Sequence, residues 1–256
     1  MAMCGTLEFV YLRTMPHLLV EAGNTALKAA WAEGTTLGKT FRYQGERMMD
    51  YLLSLLDKER PEVLTVASAF GISAGEEALL RARCGELLIL DGAHTELLSS
   101  RNYPEYLSYD RAAGLVAAGF LFKDKPVTVF DFGTTLTVDF LSREGAYLGG
   151  NVSLGCRTRF KALERYSKSL PLVNTPEETD PEGHSLQASI ASGVISGIMF
   201  EIEGYNRLRP DNIVIFTGGD ANYFAKKMKN SIFVVSNLVL MGLALITDDY
   251  VKENLK

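Results

Sequence analysis

Val127-Thr-Val-Phe-Asp131-Phe-Gly133-Thr134-Thr135-Leu-Thr-Val-Asp139-Phe-Leu141 is the stretch on which the reading of this chain turns. A β-branched apolar run ends in an acid, a glycine and two hydroxyls, and a second alternating run follows. That pattern spells two strands joined by a hairpin with a polar tip. Leu18-Leu-Val-Glu21-Ala-Gly23-Asn24-Thr25-Ala-Leu-Lys28-Ala-Ala-Trp31 repeats the same grammar of acid, spacer, glycine, small polar residue and threonine. Glu21 and Asp131 lie 110 positions apart, about the length of a small domain.

Two copies of one hairpin at domain spacing imply a duplicated fold closing on a nucleotide, with glycine letting the backbone approach phosphate. The competing reading is two unrelated β-turns, since Gly and Thr are common there. A third signal is Ile213-Val-Ile-Phe-Thr217-Gly218-Gly219-Asp220-Ala221, a buried strand running through two glycines into a helix whose first N–H groups can face a ligand.

The 256 residues suffice for two ordinary domains, and 47% hydrophobic with 22% charged residues describes a globular protein. A net charge of −5 excludes a general attraction to nucleic acid or anionic membrane. Cys4, Cys84 and Cys156 are scattered and odd in number, which argues against a disulfide framework and for a cytoplasmic setting. His17, His94 and His184 are equally dispersed; they are expected on the surface or in loops. Residues 1–17 read as an N-terminal extension without an export signal. The apolar run 237–246 is too short to cross a bilayer and predicts a buried helix.

Between these signals, strands and helices alternate. A third strand is expected near Lys39 to Tyr43, a helix over Glu46–Glu59, a strand at Val63–Ser68, a helix over Glu76–Cys84 and a strand at Leu87–Leu90. Ser108 is placed as the N-cap of a helix, with Asp110 and Arg111 in its first turn, where the helix dipole favours an ionised carboxylate. Lys123–Pro126 is the expected boundary between domains 18–124 and 125–256. Further on, helices are expected over Arg157–Ser169 and Ser185–Tyr205, the second with Ser192, Gly193, Ser196 and Gly197 as close-packing positions. Asn174–Gly183 is expected to be a mobile loop.

The two hairpins and the Gly-Gly-Asp turn are similar to the actin-like and sugar-kinase-like ATPase superfamily. This implies an α/β protein of two duplicated actin-like (ribonuclease H-like) domains with a nucleotide cleft between them. Within it the chain resembles the type III pantothenate kinases, through Gly23-Asn24-Thr25 with Lys28, Asp110-Arg111, Asp131-Phe-Gly133-Thr134, Gly149-Gly150 with Leu170-Pro171, Ser192-Gly193 and Thr217-Gly218-Gly219-Asp220.

The resemblance implies ATP-dependent phosphorylation of pantothenate, the opening step of coenzyme A synthesis. It also implies Mg²⁺ carried with ATP, a monovalent cation (K⁺ or NH₄⁺) and a homodimer. Asp110 would be the base, with Arg111, Ser108, Tyr109 and Tyr103 at the substrate. Glu21, Gly23, Asn24, Thr25, Lys28, Gly133, Thr134, Gly218 and Gly219 would hold ATP, and Asp131 the cation. The chain departs from the family pattern at Glu21 (usually Asp), Ser108 (Gly), Leu154 (Pro), Arg101 (Tyr) and Leu186 (Thr). A non-catalytic nucleotide-binding relative and a kinase of another small alcohol, such as a sugar, therefore stand as alternatives.

Overall fold

The computed structural model describes residues 16–94, 96–229 and 231–255. The first segment of sheet runs β1 (His17–Ala22), β2 (Leu27–Glu33) and β3 (Thr36–Tyr43), then α1 (Met48–Leu56), β4 (Val63–Ser68), α2 (Ala74–Arg81), β5 (Glu86–Leu90) and the short α3 (Glu96–Ser99). Helix α4 (Tyr109–Leu121) leads to β6 (Val127–Phe132), β7 (Thr135–Leu141) and β8 (Tyr147–Leu154). Then come α5 (Cys156–Tyr166), α6 (Leu186–Leu208), β9 (Ile213–Gly218), α7 (Ala221–Lys227), β10 (Phe233–Val234) and α8 (Leu238–Asn254).

The duplication read in the sequence is a duplication of topology. One sheet has the order β3-β2-β1-β4-β5 and the other β10-β9-β6-β7-β8. In each, an antiparallel three-strand meander is extended by a strand parallel to its first member, β4 beside β1 and β9 beside β6. Glu21 pairs with Lys28 across the first hairpin, and Asp131 with Thr137 across the second, so the two acids occupy equivalent positions.

Side-chain alternation explains where those acids point. In β1, Leu18 and Val20 join the core under α1 and α2, whereas Leu19 belongs to the core between the sheets. In β6, Phe130 and Phe132 pack with Phe160, Phe216 and Phe224, whereas Val127 and Val129 face the central core. Glu21 and Asp131 share the parity of Leu19 and Val129, so both take the inner face. Both come one residue before the end of their strands.

Helices α4 and α8 fill the layer between the sheets. A Cβ at Gly242 would overlap the backbone of Ala113, so glycine permits their close crossing. The Thr65 and Thr247 hydroxyls, 2.6 Å apart and buried, tie β4 to α8. Close packing was also expected at Ser192, Gly193, Ser196 and Gly197 on α6, and Ser192 is buried there. A Cβ at Gly193 would meet nothing within 4 Å, so that glycine is not required by a neighbour.

Other expectations change locally. Helix α5 ends at Tyr166 rather than Ser169, and α6 continues to Leu208. Strand β10 and helix α3 are too short to leave a periodic signal. The loop 174–183 is anchored rather than free: Tyr223, Lys227 and Ser192 donate to the carbonyls of Pro176, Glu177 and Pro181. His17 is not at the surface but buried in β1, and Cys4 with residues 1–15 lies outside the described residues. No helix among the described residues is long and apolar enough to cross a membrane.

Candidate active site

The two hairpin tips meet. Thr25 and Thr134 share a hydrogen bond of 2.7 Å between their hydroxyls, and each tip is closed by its glycine, with Gly23 N–H on the Ala26 carbonyl and Gly133 N–H on that of Thr135, both 3.0 Å. Those two glycine N–H groups are engaged within the turns, so a phosphate would be met by the hydroxyls and the other tip amides. The second tip is braced: the Thr134 carbonyl accepts from Gly155 N–H at 3.0 Å and from the Thr158 hydroxyl at 2.7 Å. A Cβ at Gly155 would overlap the Gly133 carbonyl. Asn24, at the first tip, is exposed.

Glu21 holds Lys28 with both carboxylate oxygens, each 3.0 Å from Nζ. The pair is mostly buried, with side-chain exposures of 12% for Glu21 and 27% for Lys28. Behind it lies Asp131. Burial first, then the carboxylates of Glu21, Asp110 and Asp139, push its pKa up from 3.8 to about 7 against the opposing pull of Lys28. Gly218, at φ +90°, brings the end of β9 so close that a side chain there would overlap the Asp131 carboxylate and the Phe132 carbonyl. Gly219 has no such constraint. Asp220 is half-buried and its pKa is raised by burial, opposed by Arg157 and Arg42.

Asp110 opens α4, and its Oδ1 accepts the Arg111 N–H at 2.9 Å. It lines a cavity of about 240 Å³ together with Glu21, Gly23, Ser68, Tyr106 and Ser108. The acid on α4 and the first hairpin thus face one space. Ser108 occupies the N-cap position, but its side chain makes no capping bond. Tyr109 is buried, with its hydroxyl donating to the His94 carbonyl at 2.6 Å, so its hydroxyl is committed to the core side. Tyr103 is partly buried and its ring meets Tyr147 edge-on at 6.2 Å.

Arg111 is paired. Its Nε lies 3.0 Å from Asp139 Oδ2 and its Nη2 2.6 Å from Asp139 Oδ1. Burial works against the Arg111 charge, and the hydrogen bonds and field of Asp139 more than offset it, so its pKa rises. Tyr147 completes the group, within 3.2 Å of Arg111 Nη2 and 3.1 Å of Asp139 Oδ1. Neither Asp139 nor Tyr147 was assigned from the sequence. An acid inside the apolar run of β7 was the available signal, because a buried carboxylate requires a partner.

Comparison with known proteins gives the chain's relatives. The family model described as type III pantothenate kinase matches residues 17–207. A type III pantothenate kinase of Azobacteroides pseudotrichonymphae genomovar. CFP2 is 33% identical over 232 residues, covering 89% of this chain and 94% of that protein. One of Bacteroides fragilis strain YCH46 is 35% identical over 233 residues, covering 89% and 95%.

Among solved structures, the activator of the 2-hydroxyisocaproyl-CoA dehydratase from Clostridium difficile with bound ADPNP is 14% identical, with TM-score 0.57 over 94% of this chain and 97% of that one. MreB5 of Spiroplasma citri bound to AMPPNP is 12% identical, with TM-score 0.53 over 94% and 98%. These two share the fold of this chain, in which two mixed five-stranded sheets carry flanking helices. On the match across residues 17–207 and the identity to curated relatives, this chain belongs to the type III pantothenate kinase family.

Proposed function

We propose that the protein transfers the γ-phosphoryl group of ATP to the 4′ hydroxyl of pantothenate, giving 4′-phosphopantothenate and ADP as the first step of coenzyme A synthesis. The observation that carries this reading is the shared cavity: Asp110 faces the same space as Glu21 and Gly23 of the first hairpin, and a cation, Arg111, follows it in the chain.

Phosphoryl transfer requires positioning and charge neutralisation more than covalent help from the protein. Asp110 takes the proton of the pantothenate alcohol as its oxygen bonds to the γ-phosphorus and the bond to the ADP oxygen breaks. Arg111 receives the substrate carboxylate, with Tyr103 and Ser108 beside it and Tyr109 forming the wall. Thr25, Asn24 and Thr134 hold phosphate, aided by Lys28 once Glu21 releases it, and Gly218 and Gly219 let the backbone come close. Asp131 would hold K⁺ or NH₄⁺, and that ion, with Mg²⁺ carried on ATP, would supply neutralising charge for the phosphates. An acid whose pKa sits at about 7 among other acids suits a bound cation.

The same reading takes residues 18–124 and 125–256 as the two lobes of the cleft, in a cytoplasmic homodimer. One observation favours a second reading, a nucleotide-binding relative without turnover: the grip of both Glu21 oxygens on Lys28. A sugar substrate is less suited to a buried arginine.

ADP release with pantothenate, compared in K⁺ and Na⁺ and against a panel of sugars, tests the reading. Pantothenate-dependent turnover that K⁺ stimulates and that falls by ~10²-fold or more in Asp110→Asn is expected. ATP binding without turnover on any alcohol favours the second reading.

A further inference from the structure

We propose that Asp139 is a positioning residue for acceptor recognition: it fixes the Arg111 guanidinium so that the remaining edge of the fork meets the substrate carboxylate. The inference rests on the proposed function, since it needs Arg111 to receive an acid.

Both Asp139 oxygens are engaged on one side of the guanidinium, at 3.0 Å from Nε and 2.6 Å from Nη2. Two parallel charge-assisted bonds fix the plane of the fork as well as its place. Nη1 makes no hydrogen bond among the described residues, and it is left for a second acid. Arg111 and Asp139 are 10% and 3% exposed in their side chains, so the arginine would be an uncompensated buried charge without its partner.

The surrounding chain is built around this pair. A Cβ at Gly150, which lies opposite Asp139 in the β7–β8 register, would overlap Asp139 Oδ1 and the Val138 carbonyl and press on Arg111 Nη2. Glycine there lets β8 pass over the pair, and Gly149 beside it adopts φ +113°. Tyr147 bonds both members of the pair and also lines a hollow of about 600 Å³ with Tyr103, Tyr106 and Gly149. Glu105 and Tyr106 border this hollow and the Asp110 cavity alike. An elongated substrate with an alcohol at one end and an acid at the other matches two hollows that share these walls.

The test compares pantothenate with its neutral analogue pantothenyl alcohol, which keeps the reacting hydroxyl and carries CH₂OH in place of the carboxylate. The analogue is read as KM, or as a competitive inhibition constant where it turns over slowly. Asp139→Asn is expected to raise KM for pantothenate ~10-fold or more, with kcat within ~3-fold and the analogue's constant unchanged. Tyr147→Phe should move the acid-to-neutral ratio the same way by ~3-fold, and it decides the matter if Asp139→Asn does not fold. Equal changes for both compounds, or tighter pantothenate binding in Asp139→Asn, would overturn the assignment. Wild-type protein that does not phosphorylate pantothenate overturns the proposed function, and the positioning role with it; an active wild type whose variants keep the acid-to-neutral ratio overturns the Asp139 role alone.

Discussion

The hydroxyls of Thr25 and Thr134, 109 residues apart in sequence, are joined by a 2.7 Å hydrogen bond at the tips of the two hairpins. In the proposed function, a phosphate between the tips would exchange that bond for its own oxygens. The Thr134 tip is braced by Gly155 and Thr158, so the Thr25 tip would be the one to yield. Thr134→Ala is expected to raise KM for ATP ~10-fold while costing at most ~1 kcal/mol of stability, because the bond is exposed. Unchanged KM for ATP in that variant would remove Thr134 from phosphate binding.

Glu21 reaches Lys28 with both oxygens because its side chain spans the cross-strand pair. Glu21→Asp shortens the reach by one methylene and should release Lys28 toward phosphate. A gain of ~10-fold in kcat/KM is expected, below the ~10²-fold that a 1 Å misplacement near reacting groups can cost. A loss of activity instead would identify the Glu21–Lys28 pair as part of the working arrangement.

Asp131 makes stability depend on pH in a stated direction. Its folded pKa of about 7 lies above the ordinary 3.8, so between those values the folded chain holds a proton that the unfolded chain has released. Its contribution is therefore present at low pH and is lost as pH rises toward 7, with a slope of at most ~1.4 kcal/mol per pH unit. Asp131→Asn should flatten the melting-temperature profile over that window. It should also abolish stabilisation by K⁺ at pH 8. Parallel wild-type and variant curves would show that the carboxyl ionises normally.

His17 acts with the opposite sign. It is buried in β1, its Nδ1 has no hydrogen-bond partner among the described residues, and burial lowers its pKa against the fields of Glu62 and Asp248. The folded state binds its proton less readily than the unfolded state, so stability is lost as pH falls through 6.5 and below. His17→Leu should raise stability by ~1 kcal/mol and flatten the acid limb; a destabilised variant in urea titration would show that the ring makes a contact worth more than its unpaired nitrogen costs.

The strands, the hairpins, the equivalence of Glu21 and Asp131 and the helix start at Ser108–Arg111 were legible in the sequence, because each is written in local alternation, turn chemistry and capping residues. The same local logic misplaced His17, since a histidine in an apolar strand carries the same letters whether it faces solvent or core. Gly193 and Gly197 drew attention as small residues, while the required glycine was Gly242, whose need arises only where α8 crosses Ala113.

By itself, then, the amino-acid order determined a duplicated pair of acid-tipped hairpins on alternating strands, since period-two burial and turn residues act over a few positions. Only the tertiary structure decided what distant polar groups meet: Arg111 forked onto Asp139 28 residues away, and Thr25 bonded to Thr134. Such pairings are set by how strands and helices from distant parts of the chain pack around three cores, and no local pattern encodes that distance.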